Sequence, residues 1–151
     1  MAANKRLVSK GAMAMTIQKM TEIRCAAAPP PGGHYAQAVL HRDTLYVSGQ
    51  LGVTAAMAGS APPSVGDQVT FALRNIEAIA RVIGASLDDV LRCTIYVTDV
   101  AHWDEVNRAY AAVFGAHRPA RSIIPCGPLH FDALVEIEAI IVVDAGADWS
   151  A

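Results

Sequence analysis

The sequence carries no excess of positive charge. Twelve lysines and arginines stand against fourteen acids, a formal net charge of −2, so no overall field gathers phosphates or anionic lipid, and neither nucleic acid nor a membrane is an expected partner. The folded part also lacks a basic run or an aromatic platform, which RNA recognition uses. Cysteine is scarce: Cys25, Cys93 and Cys126 are an odd number without CxxC spacing. That excludes a disulfide framework and a zinc site, and fits a reducing, cytoplasmic setting. No apolar run suits a signal segment or a membrane span, since the stretch from Gly11 to Met15 is too short. There is no GxSxG motif, and His34, His41, His102, His117 and His130 show no pairing pattern. A hydrolase triad around Ser48 is therefore not expected.

What is present is apolar. Of 151 residues, 53% are hydrophobic and only 17% charged, more than a single domain needs to cover its own core, which points to an oligomer. Residues 1–20 read as a flexible leader carrying Lys5, Arg6, Lys10 and Lys19, residues 21–145 as one domain, and 146–151 as a tail.

Within the domain, Thr21 to Ala27 reads as a strand, broken by Pro29, Pro30, Pro31, Gly32 and Gly33. Tyr35 to His41 and Thr44 to Gln50 read as a hairpin turning at Arg42 and Asp43. Gly52 to Gly66 is a loop. From Asp67, the residues Val69, Ala72, Leu73, Ile76, Ala80 and Ile83 keep helical spacing up to Gly84. Leu91, Cys93, Ile95 and Val97 alternate with Arg92, Thr94 and Tyr96, as a half-buried strand requires, so Cys93 faces inward as a small core residue. Asp104 to Phe114 forms a second helix, Arg121 to Ile124 and Leu134 to Val143 the last strands. Trp103 and Trp149 pack or anchor ends. The order implies an α+β layer sandwich: one mostly antiparallel sheet, two helices on one face, and sister subunits on the other.

The last strand poses a chemical question. Glu136 and Glu138 interrupt an apolar run, fall on the same strand face about 7 Å apart, and each is expensive to bury without a partner. Arg121 is the nearest cation in sequence, and a loop from Pro125 to Ala133 could set its strand beside theirs. An arginine suits a small carboxylate, because its planar fork donates two parallel hydrogen bonds. Spacing alone leaves two roles open for Arg121: an ion pair with Glu136 or Glu138 that stabilises the fold, or a substrate clamp.

The stretch Pro119-Ala120-Arg121-Ser122, then Gly127 and Leu129, then Val135-Glu136-Ile137-Glu138 resembles the C-terminal signature of the RidA/YjgF/UK114 family. Tyr35-Ala36-Gln37-Ala38, Val47-Ser48-Gly49-Gln50, Asn75, Tyr96-Val97-Thr98-Asp99 and Asn107-Arg108-Ala109-Tyr110 are similar to further landmarks in the same order. The match runs from about Gly32 to Val143.

The resemblance implies a homotrimer of chorismate-mutase-like fold with clefts between subunits. It implies hydrolysis of 2-imino and 2-enamino acids to 2-keto acids and ammonia without metal or organic cofactor. By the same resemblance, Arg121 binds the substrate carboxylate, Glu136 orients the attacking water, and Tyr35 of the neighbouring subunit lines the cleft. Gly49, Asn107 and Ile123 fall at substrate-binding positions. Ile123 departs from the cysteine of many relatives and reshapes the pocket, and His130 and Phe131 tune substrate size. A non-catalytic keto-acid-binding regulatory trimer, or a deaminase of a larger aminomuconate-type acid, stays open beside this reading.

Overall fold

The computed structural model describes residues 20–54, 57 and 63–143. The tail and all but the last residue of the leader lie outside them, as does Trp149. Eight main elements follow one another: β1 (Thr21–Ile23), β2 (Ala38–His41), β3 (Thr44–Leu51), α1 (Val65–Arg81), β4 (Val90–Val97), α2 (Trp103–Phe114), β5 (Ala120–Pro125) and β6 (Val135–Val142). The strands form one sheet in the order β1-β2-β3-β6-β4-β5. Every neighbouring pair is antiparallel except β4 and β5. A parallel pair needs a crossover, and α2 supplies it.

This order corrects one expectation. The strand of Arg121 does not lie beside that of Glu136: β4 stands between β5 and β6. The crossover through α2 pairs β5 with β4, while β6 takes the slot between β3 and β4. The most apolar strand thus has both edges hydrogen-bonded.

α1 begins two residues earlier than Asp67. Ser64 caps it, accepting from the Asp67 amide at 3.1 Å and donating to the Asp67 carboxylate at 2.8 Å. The helix ends at Arg81, and Gly84, with a φ of 74°, turns the chain away. Its stripe Val69, Ala72, Leu73, Ile76 and Ala80 is wholly buried against β3 and β6. From the sheet, Val135, Ile137, Ala139 and Ile141 of β6 and Cys93, Ile95 and Val97 of β4 join it in one core.

Two shorter strands depart from the sequence reading for a single reason. β1 stops at Ile23 and β2 starts only at Ala38, because the buried Gln37 side chain takes over the backbone between them. Its Oε1 accepts from the Cys25 amide at 2.7 Å, and its Nε2 reaches the carbonyls of Cys25, Ala28 and Pro29. In β4 a register shift between Val90 and Arg92 buries Val90 and leaves Leu91 exposed, against the simple alternation. Trp103 is partly exposed and stands at the start of α2.

Among the described residues, the other sheet face carries no helix. It presents Glu136, Glu138 and Ile140 of β6 together with Tyr46, Tyr96, Ile124 and Val142. Tyr46 and Ile124 are 48% and 41% exposed.

Candidate functional site

Glu136 sits on the bare face where β3 is irregular. The pairing of β3 with β6 breaks between Val47 and Gln50, so Ser48 and Gly49 bulge beside the glutamate. Gly49 leaves room for the acid: a Cβ on it would meet the Glu136 carboxylate and push that side chain from its place. The bulge is tied to the proline-rich loop, since the Ser48 hydroxyl donates to the Ala36 carbonyl at 2.7 Å and the Ser48 amide to that of Gln37 at 3.0 Å. Tyr35 leaves this loop half exposed, its hydroxyl accepting from the Gly32 amide at 3.1 Å.

Between loop and sheet lies a cavity of about 930 Å³. Tyr35, Gly49, Glu136, Glu138, His130 and Phe131 line it, with the prolines from Pro29 to Pro31 on one wall. Burial pushes the Glu136 carboxyl above its ordinary value and the Glu138 charge adds to that, while nearby His130 pulls it back. The Tyr96 hydroxyl donates to Glu138 at 3.4 Å. Among the described residues, Glu136 has no hydrogen-bond donor and no ion-pair partner. It faces the cavity free.

Arg121 lies elsewhere. It stands opposite Cys93 in the parallel pair, and Cys93 opposite Ala139, so its side chain projects on the helix face while Glu136 projects on the bare one. The guanidinium donates to Asn107 Oδ1 at 2.9 Å and lies over the Tyr110 ring, 4.6 Å from its centroid. No carboxylate pairs with it among the described residues. The ion pair with Glu136 or Glu138 that spacing allowed is absent.

Tyr110 is buried, and among the described residues its hydroxyl has no hydrogen-bond partner, with the Cys93 thiol nearby. Burial pushes that thiol up to about 11 and raises the phenol as well. Cys93 is therefore an inert core residue, as its strand position implied. Ile123 follows Arg121 on the same face, paired with Ile95.

The six expected site residues thus fall into two groups. Tyr35, Gly49 and Glu136 meet in the cavity, whereas Arg121, Asn107 and Ile123 gather at the far edge of the sheet on its other face. Tyr110 escaped the sequence reading as a site residue. Its spacing of three from Asn107 on one helix was the available signal, because such residues share a face.

The geometry is that of an α+β sheet backed by two helices, with a carboxylate in a cavity on its bare face and an arginine at its edge. The chain belongs to the RidA/YjgF/UK114 family: the family model described as Endoribonuclease L-PSP matches residues 25–143. It is similar to the 2-iminobutanoate/2-iminopropanoate deaminase of Bos taurus, 37% identical over 120 residues, covering 80% of this chain and 88% of the relative. The RutC family protein UK114 of Drosophila melanogaster is 36% identical over 128 residues, with 85% and 91% of the two chains covered. Among solved structures, E. coli TdcF with bound serine superposes with a TM-score of 0.73 at 33% identity, covering 81% of this chain and 98% of that one.

Proposed function

We propose that the protein hydrolyses 2-imino acids, and their enamine tautomers, to 2-keto acids and ammonia. One observation carries the reading: Arg121 is fixed by Asn107 and by the Tyr110 ring yet has no acidic partner among the described residues. A partly buried guanidinium held this way is a preformed donor fork for a carboxylate. The bovine relative's name supports the reaction, and the serine bound to TdcF supports an amino-acid-shaped ligand.

Arg121 and Glu136 sit on opposite faces of one chain, so a single substrate meets both only if a second copy contributes. We therefore read the working form as a homotrimer in which the Arg121 edge of one subunit closes the Glu136 cavity of the next. The apolar residues of the bare face support burial between copies. Arg121 clamps the carboxylate, with Asn107 holding the guanidinium and Ile123 shaping the wall beside it. Glu136 orients a water against the imine carbon, accepts its proton as the carbon–oxygen bond forms, and passes that proton to the imine nitrogen, which regenerates the carboxylate. The resulting carbinolamine transfers its hydroxyl proton to nitrogen, the carbon–nitrogen bond breaks, and ammonia leaves a 2-keto acid. Tyr35 covers the cleft, and the backbone at Gly49 lies beside the water. An imine is already electrophilic, so positioning and one base suffice and no cofactor enters.

The test is ammonia release from 2-iminobutanoate generated in situ. The protein should accelerate it, and Arg121→Ala should lower kcat/KM by roughly a hundredfold, since a hydrogen bond to a charged group contributes about 1.5–3 kcal/mol. Unchanged kcat/KM in that variant would refute the clamp. Keto-acid binding without acceleration would instead favour a regulatory, non-catalytic trimer.

A further inference from the structure

We propose that the cavity selects 2-imino acids with a long, uncharged apolar side chain, and that Phe131 sets this preference. The inference rests on the imine-hydrolysis reading and names the substrate within it.

The cavity's charged lining is one-sided. Glu136, Glu138 and His130 face it, and no lysine or arginine does among the described residues. If Arg121 holds the substrate carboxylate from outside this lining, the cavity receives the rest of the molecule. A second carboxylate there would meet two glutamates and no strong cation, which is unfavourable. That argues against aminomuconate-type diacids. The remaining walls are largely apolar: Pro30, Tyr35, Leu51, Val53 and Phe131. Before a second copy closes it, this space measures about 930 Å³, more than an imine of alanine fills, for pockets of roughly 300–1,000 Å³ take drug-sized ligands.

Phe131 is the unusual member of this wall. Its backbone lies in the left-handed region, φ 60° and ψ 31°, and Asp132 follows at φ 54°. A bulky side chain is rarely found there, and such strain persists where the surroundings or a function retain it. Core burial does not retain it, because the side chain is 49% exposed. The turn is pinned from outside the ring, through the Ala133 amide to the His130 carbonyl at 3.2 Å and the Leu134 amide to Gln68 Oε1 at 2.8 Å. The geometry holds an aromatic ring in the lining of a cavity that Tyr35 and the prolines also line, where it can pack on an apolar substrate chain.

Imines made in situ from alanine, leucine, phenylalanine and glutamate by an amino-acid oxidase, with loss followed in competition with semicarbazide, test this. The leucine or phenylalanine imine should exceed the alanine imine in kcat/KM by about tenfold or more, as added methylenes in an apolar pocket give. The glutamate imine should be slowest. Phe131→Ala and Phe131→Asn should each narrow the leucine-to-alanine ratio about tenfold; asparagine tolerates the left-handed backbone, so it keeps the turn while removing the ring. A ratio near one in the native protein, or one unchanged in both variants, overturns the inference while leaving imine hydrolysis standing. If no imine is hydrolysed, that reading fails, and 4-methyl-2-oxopentanoate against pyruvate binding decides this one. Preference for the longer keto acid, lost in Phe131→Asn, supports it, and equal affinity overturns it.

Discussion

Among the described residues, neither Glu136 nor Arg121 forms an ion pair, but their settings differ. Arg121 has lost little by leaving water, since an amide oxygen and an aromatic face replace part of its hydration. Glu136 has no such compensation, and burial raises its pKa above the ordinary value near 4.5. If its ionised form is the base, the acid limb of kcat against pH should lie above that of an exposed glutamate, and Glu136→Gln should lose this limb and most of kcat while Kd for a keto acid changes little. Equal losses in kcat and affinity would make Glu136 a binding group only. The same shift has a stability consequence. A carboxyl whose folded pKa is raised binds its proton more tightly in the native state, so its stabilisation is present below the unfolded pKa and is lost as pH rises through the folded one. Urea unfolding across that window should show Glu136→Gln gaining on the native protein as pH increases.

At the scale of elements, the cavity depends on two departures from regular structure. The β3 bulge at Ser48 and Gly49 opens space beside Glu136, and the Gln37 side chain holds the loop from Cys25 to Pro29 where a longer β1 would otherwise run. Gln37 acts as a short segment of sheet, giving one acceptor and up to two donors to backbone groups that are otherwise orphaned. Gln37→Ala should lower unfolding free energy by roughly 3 kcal/mol, because several buried backbone groups lose their partners. Urea denaturation measures it, and a loss below 1 kcal/mol would mean that water replaces the amide. Neither departure was legible in the sequence. Alternation marked the strands, but alternation is local, and the partners that interrupt it come from twelve residues away in the case of Cys25 and Gln37.

For the whole molecule, the opposite placement of Arg121 and Glu136 makes the sharpest test. In solution the protein should sediment at three times its chain mass, and Arg121→Ala and Glu136→Gln should each keep only a few per cent of native activity or less as pure assemblies, about a hundredfold loss in the first case. Unfolded together in equal amounts and refolded, they should regain about a quarter of native activity, since in a cyclic trimer one interface in four pairs an intact arginine with an intact glutamate. No recovery in trimers shown to be mixed would place both groups of a site in one chain and refute the shared cleft.

Much was decided by the amino-acid sequence alone. Helical spacing from Val69 to Ile83 defined α1, the alternation around Glu136 and Glu138 put both acids on one face, and ordered landmarks from Tyr35 to Glu138 revealed the family. These are local or additive signals, written in residue type and period. Tertiary structure alone decided that β4 separates Arg121 from Glu136, that the two face opposite sides of the sheet, and that Asn107 and Tyr110, rather than a carboxylate, hold the arginine. Strand order is a choice among long-range pairings of similar local pattern. It turns on which strand can have both edges bonded and which connection passes through a helix, and no period along the chain records that choice.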